Sequence, residues 1–203
     1  MSALKVLAST SPRPRFSDAA NWPMNAPLPS SQRTERLLLR RPAEADLEFL
    51  TDLFSRRELV AHRPDPAPDT PQQSVARLAR DIGHWDRHGF GRWAVEADGR
   101  LVGFGGVTVS ADFDGLNLSY HLHPRSWGHG YATELVMEAL RTAFGPLQAG
   151  RVVGLVRAAN PASRRVLERC GFIFEKDVML HEAPTMLFAR ARPHGTDISG
   201  PAA

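Results

Sequence analysis

Trp127-Gly128-His129-Gly130-Tyr131-Ala132-Thr133-Glu134 is the stretch on which the fold turns. Before it, Leu116-Asn117-Leu118-Ser119-Tyr120-His121-Leu122 carries apolar residues in alternation. After it, Ala132, Leu135, Val136, Ala139, Leu140, Ala143 and Phe144 recur at three- and four-residue steps. The period changes from two to about 3.6 across a glycine loop, so a strand feeds a helix. The first N–H groups of a helix have no partner within it and sit at the positive end of its dipole. With no side chain at Gly128 or Gly130, this loop offers a site for an anion, above all a phosphate. A plain strand-to-helix turn is the bland reading of the same glycines.

A second strand-like run, Val152-Val153-Gly154-Leu155-Val156-Arg157, leads into Asn160-Pro161-Ala162-Ser163 and then Arg165-Val166-Leu167-Glu168-Arg169-Cys170-Gly171-Phe172. Together with Tyr120, Leu122, Pro124 and the loop from Trp127 to Glu134, these segments resemble the GCN5-related N-acetyltransferase (GNAT) superfamily. The likeness is greatest to its ribosomal-protein N-terminal, RimJ/RimL-like branch, and it covers residues 34–193. The resemblance implies a mixed α/β (α+β) fold. It implies a mostly antiparallel sheet of about seven strands with splayed fourth and fifth strands, and about four helices.

Composition is that of an ordinary globular chain: 42% hydrophobic, 23% charged, formal net charge +3. So small an excess of positive charge gives no footprint for nucleic acid, and none is expected as a partner. Cys170 is the sole cysteine, which excludes an intramolecular disulfide and fits a reducing, cytoplasmic setting. No apolar run nears the ~18 residues that span a membrane, and no leader pattern opens the chain.

Residues 1–33 are rich in proline and lack a period, so they read as a flexible tail in which Phe16 and Trp22 are the only aromatics. The folded domain is expected over 34–193 and a second loose tail over 194–203. Leu37–Arg41 reads as a first strand, and Leu47–Phe54 as a short helix. Thr70-Pro71-x-Gln73 opens a longer helix through a capping box, and Gly89 closes it. Arg92–Glu96 and Leu101–Val109 form a hairpin around Asp98-Gly99. Phe172–Phe174 and Met186–Ala189 supply the last strands, giving the order βααβββαβαββ.

The resemblance assigns the donor site residue by residue. Acetyl-CoA would lie between the splayed strands, its pantetheine amides meeting backbone groups at Tyr120, Leu122 and His123. The pyrophosphate would rest on N–H groups of the Trp127, Gly128, His129, Gly130, Tyr131, Ala132 and Thr133 loop. Asn160 precedes a proline and reads as a helix cap; in relatives the matching Asn also touches the cofactor. Ser163 either satisfies an orphan N–H or lies near the thioester sulfur as the acid for the leaving thiolate. Gly171 should end its helix, with Cys170 in the core.

The implied reaction is direct attack of a neutral primary amine on the thioester, needing a proton acceptor and an oxyanion donor near Leu122. Relatives often carry Glu early in the fourth strand; here Asn117 and Ser119 stand there. His121 shares their face and is the candidate base. His62, His84 and His88 fall in the segment 56–92 expected to shape the acceptor pocket. No spaced metal ligands stand out. Acetyl-CoA-dependent N-acetyl transfer to a protein N-terminus or small amine is thus the expected activity. A succinyl-CoA-dependent transferase and a non-catalytic acyl-CoA-binding module are its alternatives. Oligomeric state, monomer or homodimer, is left open by the sequence.

Overall fold

Caps and turns legible in the sequence punctuate the chain. Thr70 Oγ1 accepts from the Gln73 N–H at 3.2 Å while Gln73 Oε1 accepts from the Thr70 N–H at 2.6 Å. Asp98 and Gly99 take φ of 50° and 72°, the paired left-handed turn that a two-residue hairpin requires.

The computed structural model describes residues 28–110 and 112–193; most of the expected tail over 1–33 and all of that over 194–203 lie outside the described residues. In order, the elements are β1 (Ser31–Arg33), β2 (Leu37–Arg40), α1 (Leu47–Ser55), α2 (Arg57–Val60), α3 (Pro71–His88), β3 (Arg92–Ala97) and β4 (Arg100–Val109). There follow β5 (Leu116–Leu122), α4 (Tyr131–Phe144), β6 (Arg151–Val156), α5 (Pro161–Arg169), β7 (Ile173–Leu180) and β8 (Ala183–Ala191). The strands make one sheet ordered β1-β2-β3-β4-β5-β6-β8-β7. Only the β5–β6 pair is parallel. This is the mixed, mostly antiparallel α/β architecture expected. Among the described residues no helix is long and apolar enough to cross a membrane.

Adjacent residues of β4 show the two faces. Phe104 packs with Leu50, Leu53, Phe54, Leu59 and Leu78 from α1, α2 and α3. At the next residue, Gly105, a Cβ would lie 2.7 Å from Leu135 of α4. On that second face Leu135, Val136, Ala139 and Leu140 meet Leu116, Leu118 and Leu122. Each buried leucine or valine among these contributes roughly 1.5–3 kcal/mol. Asp81 of α3 and Arg92 of β3 form a buried bidentate pair, with N···O distances of 2.6 and 2.7 Å, that fixes the first face.

Four elements depart from the expectation. Ser31–Arg33, placed in the tail, forms β1. Its residues carry no apolar alternation, and the strand is held by pairing with β2 and by Gln32 reaching Glu138 and Thr142 at 3.3 Å. α2 is a single extra turn, making five helices and not four. β7 runs on to Leu180 and β8 starts at Ala183, around a turn in which His181 and Glu182 both take positive φ. No glycine or asparagine advertises that turn.

Candidate active site

β5 and β6 share only Leu116↔Val152, Asn117↔Val153 and Leu118↔Gly154. Beyond Leu118, β5 stays with β4 as far as Leu122↔Gly103, while β6 stays with β8 as far as Val156↔Met186. Each strand follows its other neighbour, so a wedge opens between them. Gly154 marks the last shared pair, where a Cβ would lie 2.8 Å from Leu167; its absence lets α5 close against β6. The wedge continues into a cavity of 510 Å³, a size that suits a small ligand.

The walls carry hydrogen-bonding groups that the sheet does not use. His123 N–H donates to Val102 C=O on β4 at 2.8 Å. Alternation along the strand therefore turns the backbone groups of Leu122 and Tyr120 away from β4, towards the wedge. Leu122 C=O accepts from the Trp127 indole N–H at 2.8 Å, which leaves the Leu122 N–H facing the gap. His123 itself is spent: its N–H is paired, Nδ1 accepts from the Arg125 N–H, and Nε2–H donates to Asp52 at 3.1 Å. It does not join the donor site as the sequence reading had it.

At one end of the cavity, Gly128 and Gly130 take φ of 79° and 80°. That left-handed backbone suits glycine and is costly for other residues. Gly130 is the N-cap of α4 and offers no side-chain cap. The N–H groups of Tyr131, Ala132 and Thr133 therefore begin the helix without intrahelical acceptors, at the positive end of its dipole. Arg36 braces this loop. Its Nη1 donates to His129 C=O at 2.8 Å, and its guanidinium lies 5.2 Å from the centre of the Tyr131 ring. Its Nε and Nη2 bind Glu134 at 2.8 and 2.7 Å. Burial opposes the Glu134 charge, but hydrogen bonds from Thr34 and Arg36 outweigh it and hold the carboxyl below its ordinary range.

Of the residues expected at the site, Tyr120, His121, Leu122, Trp127, Gly128, Gly130, Tyr131, Ala132, Thr133, Asn160 and Ser163 all line the cavity. His129 does not; its ring stacks on Tyr131 and its Nδ1–H donates to Trp127 C=O at 2.8 Å. Asn160 caps α5, Oδ1 accepting from the Ser163 N–H at 3.1 Å. The Tyr120 hydroxyl, its pKa pushed up to about 12 by burial, reaches Ser163 C=O at 3.5 Å across the wedge. Cys170 is buried, and burial raises its thiol to about 11.

The acceptor end was the least legible. Of the 56–92 segment, only Glu58, Leu59 and His62 reach the wall, beside Ser119 and His121. The sequence reading passed over Glu58 because α2 shows no period. His121 packs 4.9 Å from the Phe54 ring, and its buried Nδ1 has no hydrogen-bond partner among the described residues. Burial first, then Arg92, Arg77 and Arg63, push its pKa well below 6.5, so it stands neutral near pH 7. His62 is lowered likewise by burial, Arg63 and Arg157. His84 and His88 lie away from the cavity wall. His84 Nδ1–H donates to Phe90 C=O at 2.7 Å and Nε2 accepts from the Val109 N–H at 3.0 Å, a structural bridge. Asn117 lines a separate cavity of 260 Å³.

Known proteins share this fold. The family model described as an acetyltransferase (GNAT) domain matches residues 36–173. A Bacillus subtilis (strain 168) protein named as an uncharacterized N-acetyltransferase, YoaA, is 23% identical over 168 residues, spanning 81% of this chain and 92% of that protein. The crystal structure of an acetyltransferase from Agrobacterium tumefaciens str. C58 superposes with a TM-score of 0.69 at 25% identity, covering 80% of this chain and 94% of the other. Mycobacterium smegmatis RimJ, solved in complex with CoA-disulfide, gives a TM-score of 0.65 at 20% identity, covering 76% and 81%. With its splayed parallel strands and glycine-opened helix, the chain belongs to the GNAT acetyltransferase family.

Proposed function

We propose that the protein transfers an acetyl group from acetyl-CoA to a primary amine by direct attack in a ternary complex, in the manner of the RimJ/RimL-like branch. The observation that carries this reading is the wedge between β5 and β6. One structure joins unused strand N–H groups at Tyr120 and Leu122 to the uncapped N-terminus of α4. A pantetheine arm can pair with the first, and a pyrophosphate is drawn to the second.

In this arrangement the thioester carbonyl oxygen points at the Leu122 N–H, which stabilises the oxyanion as the amine nitrogen bonds to carbon. The ammonium first gives its proton to a neutral group at the acceptor end, His121 or a water. The depressed pKa of His121 makes it an available acceptor but a weak base. The nitrogen of the tetrahedral adduct gives up its second proton to solvent, the carbon–sulfur bond breaks, and the thiolate takes its proton from the Ser163 hydroxyl, which recovers one from solvent. Thiol release from acetyl-CoA in the presence of an amine tests the reading. Amine-dependent release supports it; acetyl-CoA binding without release under any amine would favour the non-catalytic alternative, to which the Asn117 departure lends some weight.

A further inference from the structure

The acceptor end of the cavity has one feature that the transfer chemistry above does not use. Among the described residues lining the cavity, Glu58 is the only carboxylate. It stands on α2, whose Leu59 and Val60 are buried in one core cluster with Leu50, Phe54, Leu78 and Phe104. That anchoring fixes the orientation of the turn. Ala61 N–H donates to Arg57 C=O and Arg63 N–H to Val60 C=O, so the helical course continues past α2. Glu58 and His62, four residues apart, therefore share a face, and both line the wall.

The neighbouring carboxylates are already engaged. Asp52 is held by Arg56 and His123. Asp69 is held by Arg63 and Arg77, each at 2.6 Å. Glu58 is solvent-exposed at the cavity rim beside Leu59 and His62 and makes no ion pair among the described residues. An unpaired carboxylate on a wall that is otherwise apolar or neutral at this end is complementary to one cation. The geometry points to Glu58 as the residue that binds the ammonium group of the acceptor, and to an acceptor that carries a single ammonium, such as an α-amine, in preference to a polyamine. A polyamine would bring a second ammonium to a cavity whose described lining holds no second carboxylate to receive it. On transfer the bound ammonium gives one proton to neutral His62, His121 or water and releases the lone pair that attacks the thioester.

This inference rests on acetyl-CoA occupying the wedge, and the test separates the two. The wild-type protein, Glu58→Gln and Glu58→Asp are titrated with acetyl-CoA by calorimetry. They are then assayed for thiol release with tripeptide amides beginning in Ala and Ser, with benzylamine and with spermidine. The expected result is unchanged acetyl-CoA affinity in all three proteins and turnover of the monoamines ahead of spermidine. Glu58→Gln should raise KM for the amine about tenfold with kcat nearly unchanged, and Glu58→Asp should recover part of the loss. Glu58→Gln kinetics equal to wild type, a preference for spermidine, or acetyl-CoA binding with no amine turned over would each overturn the acceptor assignment and leave the donor site standing. Failure to bind acetyl-CoA would overturn both.

Discussion

Arg36 and Glu134 meet side chain to side chain at 2.7 and 2.8 Å, and the Arg36 backbone N–H also donates to the same carboxylate at 2.8 Å. The pair ties the approach to β2 to the first turn of α4. The same guanidinium then holds His129 C=O, so one side chain braces both ends of the glycine loop. Arg36→Ala should leave the sheet folded yet weaken coenzyme A binding by roughly tenfold, a loss of about 1.4 kcal/mol in holding the loop N–H groups in place. Calorimetry with free coenzyme A checks it; an unchanged affinity would show that the loop keeps its shape unaided. Glu134 ionises below its ordinary 4.5, so its contribution is present above that value and is lost as pH falls through the lower folded one.

Ser163 and Tyr120 can be told apart by kinetics. Tyr120 reaches only the Ser163 backbone carbonyl, at 3.5 Å, so Tyr120→Phe should change turnover less than threefold. Ser163→Ala should lower kcat by roughly 10²-fold with little change in acetyl-CoA affinity if its hydroxyl protonates the thiolate. Steady-state rates of the two variants decide this; an indifferent Ser163→Ala would remove the hydroxyl from the mechanism.

The buried Asp81–Arg92 pair sets up a stability prediction. Removing one partner strands the other charge, so Asp81→Ala should cost roughly 3–5 kcal/mol in denaturant unfolding. A loss under about 1 kcal/mol would mean that Arg92 finds water or another acceptor when Asp81 is gone.

His84 predicts how the fold responds to acid. Burial, countered by the bond to Phe90 C=O and reinforced by His88 and Arg87, lowers its pKa from 6.5 to about 4. Between those values the unfolded chain binds the proton and the native one does not. Stability is therefore unaffected above pH 6.5 and falls as pH drops from 6.5 towards about 4. Protonation would also end the bond that Nε2 accepts from the Val109 N–H. Melting temperature against pH, compared with His84→Gln, reads this out; the variant should show a shallower decline across that window, and identical slopes would clear His84 of the effect.

Much of the site was legible because local rules wrote it. The glycine loop, the Thr70 capping box, the Asn160 cap and the Asp98-Gly99 turn each depend on a few adjacent residues, and each holds in the structure. What the sequence hid depends on contacts between distant segments. β1 exists through pairing with β2 and through Gln32 meeting α4. His121 carries no mark of the arginines around it, since Arg63, Arg77 and Arg92 come from three other segments. Glu58 sits in a one-turn helix too short to show a period, and only the buried Leu59 and Val60 aim it at the cavity. His84 falls in the segment expected to shape the acceptor pocket, but its ring is taken up by Phe90, just past the end of α3, and by Val109 of β4, and no local pattern marks that bridge.

Titration of the purified protein with acetyl-CoA, beside Gly130→Trp, tests the central claim most directly. Gly130 has φ of 80° and a Cβ there would lie 3.3 Å from Arg36 Nη2, so an indole fills the space over the helix N-terminus. The account predicts binding in the micromolar range by the wild-type protein, and none by a Gly130→Trp variant that still melts cooperatively. Equal binding by both, or none by the wild type, would contradict it.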